Sequence, residues 1–154
     1  MLPPGFHTFS ASAENLTLLA DAGDFFQLVS GASPFLLLSV SVFQRGSTTL
    51  AMDTILLHRG TLGAGGAAPT NYELGTAGPA ATVAAGSLPT TDVSTDDWQK
   101  RLGWNLLQSE AIFMPIPALW VPFKAGDDLG ITRATTIAHT GVGVQVEWAE
   151  FIGS

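Results

Sequence analysis

The stretch that decides the fold lies near the C-terminus and reads Val142-Gly143-Val144-Gln145-Val146-Glu147-Trp148-Ala149. Large apolar side chains occupy every second position, and small or polar residues stand between them. Successive side chains of a β-strand point to opposite faces, so this period of two predicts a strand with one face in a core. Trp148 continues the apolar face and is therefore predicted to belong to the core.

The same period recurs along the chain. Residues 35–43 are apolar on both faces, as in a central strand, and residues 52–59 form a third clear strand. Turn-forming Gly and Asp residues at 21–24 and 125–128 separate further strands. Short strands at this spacing predict a single domain, residues 1–154, with an all-β, antiparallel, jelly-roll-like β-sandwich fold. The weaker predicted strands cover residues 6–13, 16–20, 25–30, 98–108, 111–114, 119–123 and 129–134.

Two regions leave alternatives open. Residues 96–107 could form a short helix capped by Ser94 or Thr95, although we favour a strand from Arg101 onward. Residues 60–93 are rich in Gly, Ala, Pro and Thr. Structureless loops of this length are usually functional or disordered, but disordered tails are normally richer in charge. We therefore expect a long loop lying over a surface, with that of a neighbouring subunit as a candidate, and one short strand near residues 80–84. The alternative is a mobile surface excursion.

The composition favours a protein that associates with other proteins. Charged residues make up 12% of the 154 residues, against roughly 25% in typical domains, and the mean hydropathy is +0.32. So few charges suggest a surface of small polar residues, or one covered by partners, as in obligate oligomers. We expect a homo-oligomer. The absence of cysteine excludes disulfides and thiolate metal sites.

The charge balance argues against other classes of partner. The formal net charge is −7, and no Lys or Arg occurs between Thr61 and Gln99. Nucleic-acid binding needs a basic patch that neutralises phosphates, so direct contact with DNA or RNA is not expected. Docking to an anionic membrane is disfavoured for the same reason. The most apolar run, residues 35–43, is about half a membrane-spanning helix in length, and the N-terminus lacks a signal-peptide pattern. We expect a soluble protein.

The sequence offers little catalytic chemistry. The three histidines stand at no metal-ligand spacing, and no Gly-x-Ser-x-Gly motif is present. His58 is expected to be a strand-surface or packing residue, and the pairs Asp96-Asp97 and Asp127-Asp128 fit turns and caps. We therefore expect no enzymatic activity, no cofactor and no metal. Weak Ca²⁺ binding by Asp92, Asp96 and Asp97 is the open alternative.

The candidate interface residues lie in residues 1–13, in residues 60–93 or at tryptophan positions. Residues 1–13 could form an N-terminal arm that, like residues 60–93, reaches a neighbouring molecule. Trp120 lies in a proline-bounded, edge-like segment, residues 115–122, and such aromatics are enriched at protein interfaces. The candidate interface residues are Phe6, Phe9, Tyr72, Leu74, Trp98 and Trp120.

Several stretches together carry a family resemblance. They are residues 35–43, Ile55-Leu56-Leu57-His58-Arg59-Gly60, Leu74-Gly75-Thr76-Ala77-Gly78-Pro79-Ala80-Ala81-Thr82, and Val121-Pro122-Phe123-Lys124-Ala125-Gly126-Asp127-Asp128-Leu129-Gly130-Ile131-Thr132, followed by residues 142–151. In order and composition the chain resembles small phage virion structural proteins of the head decoration, or capsid cement, type. The resemblance implies a jelly-roll-like sandwich repeated on a phage particle, as a homotrimer bound to a major capsid protein.

The position on the particle and two rival functions complete the expectations. Because the chain is acidic, the outer surface of the capsid is a better place for it than the wall facing packaged DNA.

The first rival is a tail-tip or fibre domain that binds a receptor or glycan in a groove lined by Trp98, Trp104 and Trp120. The second is a hydrolase on a jelly-roll scaffold, which would need a histidine clustered with two carboxylates.

Overall fold

Strands make up most of the residues that the structure, a computed structural model, describes: 2, 4–18, 23–44, 52–68, 71–73, 81–94, 98–105, 110–134 and 138–152. A short 3-10 helix, Pro117–Leu119, lies between two of the strands. The strands are β1 (Phe6–Leu18), β2 (Asp24–Val29), β3 (Phe35–Gln44), β4 (Met52–Gly60), β5 (Asn71–Glu73), β6 (Ala84–Ser87), β7 (Trp98–Asn105), β8 (Glu110–Phe113), β9 (Val121–Phe123), β10 (Asp128–Arg133) and β11 (His139–Phe151).

The strands form two antiparallel sheets that pack against each other. The first sheet has the order β5-β1-β11-β3-β8, and β9 also pairs with β3; the second has the order β6-β2-β10-β4-β7. The chain crosses repeatedly from one sheet to the other, and its last long strand, β11, lies between β1 and β3. Such interleaving of early and late strands is the jelly-roll arrangement, which confirms the predicted fold class.

The alternation predicted for the C-terminal stretch shows which face of β11 lies in the core between the two sheets. Val142, Val144, Val146 and Trp148 of β11 are all fully buried, whereas Gln145 is exposed. Side chains of the second sheet meet them from the other side. Burying an aliphatic or aromatic side chain of this size contributes about 1.5–3 kcal/mol, so this interface dominates the stability of the fold. The second-sheet residues include Phe26, Leu28, Ile55, Leu57, Leu129 and Ile131.

Residues 6–13 belong to the sandwich rather than to a free arm. They form the first part of β1, which lies between β5 and β11 and pairs with β11 from Phe6 opposite Phe151 to Leu18 opposite His139. The register shifts after Ala13, where Asn15 adopts a positive φ of 57°. β11 pairs with all of residues 6–13, and β5 pairs with residues 9–11 on the other side, so this part of the expected arm is built into the sheet.

The region expected to be a long loop is partly built into the domain. The described residues 61–68 and 81–94, which we call the cover segment, fold back beside the second sheet. Within it, β6 pairs with β2, Ala64 bridges to Thr91, and Ala67 bridges to Ser87. Val83, Ala85 and Val93 are buried. The expected short strand begins at Ala84, and β5 is an additional one; residues 69–70 and 74–80 lie outside the described part.

Two further expectations concern β7 and the turn before β10. Residues 98–105 form a strand, which confirms the strand interpretation over the helix for that range; residues 95–97 and 106–109 lie outside the described part. The predicted turn at 125–128 is present: the Asp127 N–H donates to the Lys124 carbonyl at 3.0 Å. Gly126 has a φ of +92°, a conformation that glycine adopts without steric cost.

Candidate assembly surface

The most conspicuous surface feature is an apolar strip formed by Ile112, Met114, Ile116 and Leu119. These four side chains are 51–72% exposed, and they represent four of the seven large apolar side chains that are exposed among the described residues. The strip follows the connection from β8 to β9, both of which pair with β3 at the edge of the first sheet. Single exposed apolar residues are normal, but a contiguous group marks an interaction surface.

Prolines give the strip its shape. Pro115 follows shortly after β8, and since proline has no N–H to donate, the β-ladder cannot continue through it. Pro117 then begins the 3-10 turn, in which the Leu119 N–H donates to the Ile116 carbonyl at 2.8 Å. The two prolines fix the local φ angles and so reduce the conformational entropy that binding would have to remove.

An aromatic cluster lies beneath the strip. Trp98 of β7 packs against Phe113 at 6.0 Å and against Phe123 at 6.3 Å between ring centroids. Phe123 also stacks on Phe35 at 4.4 Å. Trp98 and Phe113 come from different sheets, so the cluster joins the two sheets at this edge of the sandwich. The strip therefore rests on a packed part of the domain.

Four cationic residues lie on, or directly after, the strands that contribute to the aromatic cluster or contact it. The Arg59 guanidinium lies 5.6 Å from the Phe123 ring centroid and donates to the Pro122 carbonyl. Lys100 and Arg101 are exposed on β7, and Lys124 is exposed immediately after β9. These are four of the six Lys and Arg residues of the chain, whose net charge is −7. We call these four residues of β4, β7 and the end of β9 the cationic border, because they belong to the elements next to the one that carries the strip.

The six residues proposed from the sequence divide by position. Trp98 and Trp120 are half-buried and lie at the edge that carries the strip. Phe6 is half-buried against Phe151 at 5.5 Å, on a strand separated from β8 by β11 and β3. Phe9 is only 2% exposed and packs on Trp148, so it belongs to the core and presents no surface to a partner. Tyr72 lies in β5, opposite Ser10; its side chain and all of Leu74 lie outside the described part.

The sequence analysis did not single out the four residues of the strip. The signal was present, because Ile112, Met114 and Ile116 alternate with Phe113 and a proline in the same segment that indicated a sheet edge. An edge strand with prolines is paired on one side at most, so its outward-facing apolar residues remain exposed.

Two of the three histidines, His58 and His139, form buried pairs with aspartates. His58 Nε2 lies 2.8 Å from Asp24 Oδ1, and His139 Nε2 lies 3.4 Å from Asp53 Oδ2. All four side chains are at most 3% exposed, so both pairs lie within the domain. Within the described ranges, no group of three or more histidine, aspartate or glutamate side chains could hold a metal ion. Of the possible Ca²⁺ ligands, Asp92 accepts from the Asp24 N–H, and Asp96 and Asp97 lie outside the described part.

A cavity of about 410 Å³ lies at the end of the sandwich where β1 ends and β2 begins. Its walls are of mixed character, with Asp24, Asp92 and Arg133 beside Phe25 and Leu88. No tryptophan lines it. The three-tryptophan groove of the glycan-binding alternative is not formed either, because Trp104 is fully buried.

Comparison of the chain with protein-family models, with curated proteins and with solved structures found no match. Among the described residues, no helix is long and apolar enough to cross a membrane. The geometry of the sandwich edge is therefore the basis of the functional proposal.

Proposed function

We propose that this chain is a phage virion structural protein, a decoration protein that associates with itself and bridges major capsid protein subunits on the outside of the particle. The observation that carries the proposal is the apolar strip with its cationic border on a rigid sandwich edge. A chain with only 12% charged residues has little other means of keeping such an edge in water. Covering it with protein removes apolar surface from water, at about 25 cal/mol per Å².

The size of the strip favours a closed ring over a single contact. The four side chains are 51–72% exposed, so burying what remains exposed yields about 4–8 kcal/mol in total. Association costs about 4–15 kcal/mol, so one such contact is weak or marginal. In a closed trimer each subunit makes two contacts. Its own strip lies against one neighbour, and the strip of the other neighbour lies against it, so the ring leaves no strip exposed. We therefore propose a trimer, with the capsid as the further partner.

The cationic border favours acidic surfaces as partners. Exposed cations attract such surfaces and orient the approach, although each exposed pair contributes only about 0.2–1 kcal/mol. Another copy of this chain, at net charge −7, presents acidic surface of that kind. The same net charge supports the outer position, because packaged DNA would repel it. Electron microscopy of decorated particles tests the position, and density for this domain on the inner wall would contradict it.

The experiment that tests self-association is size-exclusion chromatography with light scattering on the wild type, Ile116→Asp and Leu62→Asp. Leu62 is 75% exposed but lies outside the strip, which makes it the matched control. We expect the wild type and Leu62→Asp to elute as trimers of the 16.0 kDa chain and Ile116→Asp to elute as a monomer. A monomeric wild type at about 100 μM, where contacts of this energy would form, would refute the proposal. Equal masses for all three proteins would also refute it.

A further inference from the structure

The second sheet ends in a long strand, β7, that has a partner on one side only. Among the described strands at the sheet ends, β7 has eight residues, whereas β5, β6, β8 and β9 have three or four. Within the described residues β7 pairs with β4 alone. The N–H and C=O groups on its other side therefore have no strand to bond with, and such an edge is a template for the addition of another strand.

The inner face of β7 carries apolar side chains and one cation. Leu102 lies opposite Ile55 and Lys100 lies opposite Leu57, and both partners are fully buried in the core. Because cross-strand neighbours share a face, Leu102 and Lys100 belong to the inner face of the second sheet, as does Trp98. Leu102 and Trp98 are half-buried against the core, whereas Lys100 is exposed. A strand added here would place apolar side chains beside them.

The outer face of β7 is polar and open. It carries Gln99, Arg101 and Gly103, and all three are exposed. A Cβ on Gly103 would meet nothing within 4 Å, so this face is free of cover at that point. The side chains that an added strand places on the outer face would lie beside a guanidinium and an amide.

The apolar strip and the edge of β7 offer separate surfaces. Ile112 of the strip lies opposite Ser41, on the outer face of the first sheet. Arg101 lies opposite Leu56, on the outer face of the second sheet. A neighbouring copy that covers the strip therefore occupies a different face of the sandwich from the one that Arg101 presents.

We propose that β7 receives an extended acidic segment of a capsid subunit as an additional strand, in which apolar residues on the inner face alternate with acidic residues on the outer face. This inference rests on the proposed function, which supplies the capsid subunit as the partner. Backbone hydrogen bonds hold the segment, and the alternation of side chains makes the edge selective. An added strand lies about 4.8 Å from β7, within reach of both Lys100 and Arg101.

The two cations decide which strand the edge accepts. Charged side chains on an edge strand discourage indiscriminate pairing. A second copy of β7 paired about the same residues would set Lys100 and Arg101 against their own counterparts, and like charges opposite each other destabilise a strand pair. An acidic segment gains from the same two charges, so the edge favours it over a copy of itself.

Binding of short peptides to the full chain tests this inference. The probe is an acetylated octapeptide that alternates valine and glutamate, and its counterpart alternates valine and lysine. We expect the acidic peptide to bind with a Kd below about 1 mM and the basic peptide not to bind. At about ten times the Kd, hydrogen exchange at alternate amides of β7 should slow about tenfold. An acidic peptide that leaves β7 unchanged, or equal binding of the basic peptide, would overturn the proposal.

Two controls separate strand addition from attraction between charges. Methylation of the backbone nitrogens of the acidic peptide removes its donors and should abolish binding; undiminished binding would contradict a backbone ladder. Lys100→Gln with Arg101→Gln should weaken binding about fivefold, as expected for the loss of two exposed charge pairs. Ala64→Glu with Ala68→Glu lowers the net charge by the same amount at exposed positions of the cover segment and should leave the Kd within about twofold. Equal weakening by both double variants would contradict a site at β7.

The same titration on Ile116→Asp distinguishes this inference from the proposed self-association. The variant changes the strip and leaves β7 intact, so it should bind the acidic peptide as the wild type does. A monomeric wild type that binds the peptide would refute the trimer and leave the edge site standing. A trimeric wild type that ignores the peptide would refute the edge site alone.

Discussion

At the scale of single residues, Gly130 provides the space in which the buried His58–Asp24 hydrogen bond forms. It lies between Gln27 and His58 in the second sheet, and a Cβ there would come within 2.4 Å of His58 Nε2 and 2.7 Å of Asp24 Oδ2. The pair therefore spans a position that only glycine leaves open. The sequence predicted His58 to be a strand-surface or packing residue, but it could not reveal a partner 34 residues away.

This geometry predicts the effect of one methyl group. Gly130→Ala should lower the free energy of unfolding by about 3 kcal/mol, because the methyl group overpacks the site and breaks the buried His58–Asp24 hydrogen bond. Gly103→Ala is the matched control, since a Cβ on Gly103 of β7 meets nothing within 4 Å. Urea unfolding of both variants measures the difference. Equal stabilities would show that Gly130 is not needed for the His58–Asp24 pair.

Asp128 predicts a pH dependence of known sign. Its pKa is raised in the folded state by burial, so the native protein binds more protons there than the unfolded chain. Stability from this group is therefore present below the ordinary aspartate pKa and is lost as the pH rises through the raised value. Asp128→Asn removes this loss, so the slope of the unfolding free energy against pH should become more positive above about pH 4. Summed over the pH range of the titration, the change should be about 1.4 kcal/mol for each unit by which burial raises the pKa of Asp128.

Chemical unfolding at a series of pH values measures that slope. Glu110→Gln, which alters an exposed carboxylate, should leave the slope as it is in the wild type. A slope for Asp128→Asn that matches the wild type would mean that the buried carboxyl keeps its ordinary pKa.

At the scale of elements, the cover segment is the main difference between expectation and structure. Its Gly, Ala, Pro and Thr composition resembles that of a loop, yet Val83, Ala85 and Val93 complete the core and three carboxylates bind its backbone. These contacts join residues more than 60 positions apart, so no local pattern reveals them. Deleting residues 60–93 would consequently disrupt the sandwich as well as any contact with a partner.

The cover segment offers a direct comparison of two apolar residues. Val83→Ala should lower the free energy of unfolding by about 2 kcal/mol, since Val83 is fully packed in the core. Leu88→Ala, which removes more carbon from a half-exposed side chain of the same segment, should cost less than about 0.5 kcal/mol. Thermal or urea unfolding distinguishes them. A neutral Val83→Ala would indicate that the segment lies loosely on the domain.

The strands themselves were predictable wherever the period of two was clear. The stretches at 35–43, 52–59 and 142–149 became β3, β4 and β11, and Trp148 lies in the core as expected. Residues 6–13 alternate only loosely, and their place beside β11 depends on a pairing across nearly the whole chain. Local pattern predicts a strand, whereas long-range packing decides its neighbours and hence whether it is an arm or a member of a sheet.

At the scale of the whole molecule, the burial of acidic side chains reduces the number of charges on the surface. Asp24, Asp53, Asp128 and Glu150 are buried, so four of the thirteen acidic residues do not contribute to the solvated surface. The exterior is therefore even poorer in charge than the composition indicates. The sequence predicted an edge at residues 115–122 from its prolines, but the exposure of the strip depends on the pairing of β8 and β9 with β3.

The central claim is that copies of this chain hide the strip from water. Met114, a residue of the strip, allows this claim to be measured directly. It is 72% exposed in the single chain, and oxidation of a methionine reports its contact with solvent. We expect peroxide to oxidise Met114 at least about tenfold more slowly in the concentrated wild-type protein than in Ile116→Asp at the same concentration. Equal oxidation rates in the two proteins would contradict the account, because the strip would then face water in the assembled state.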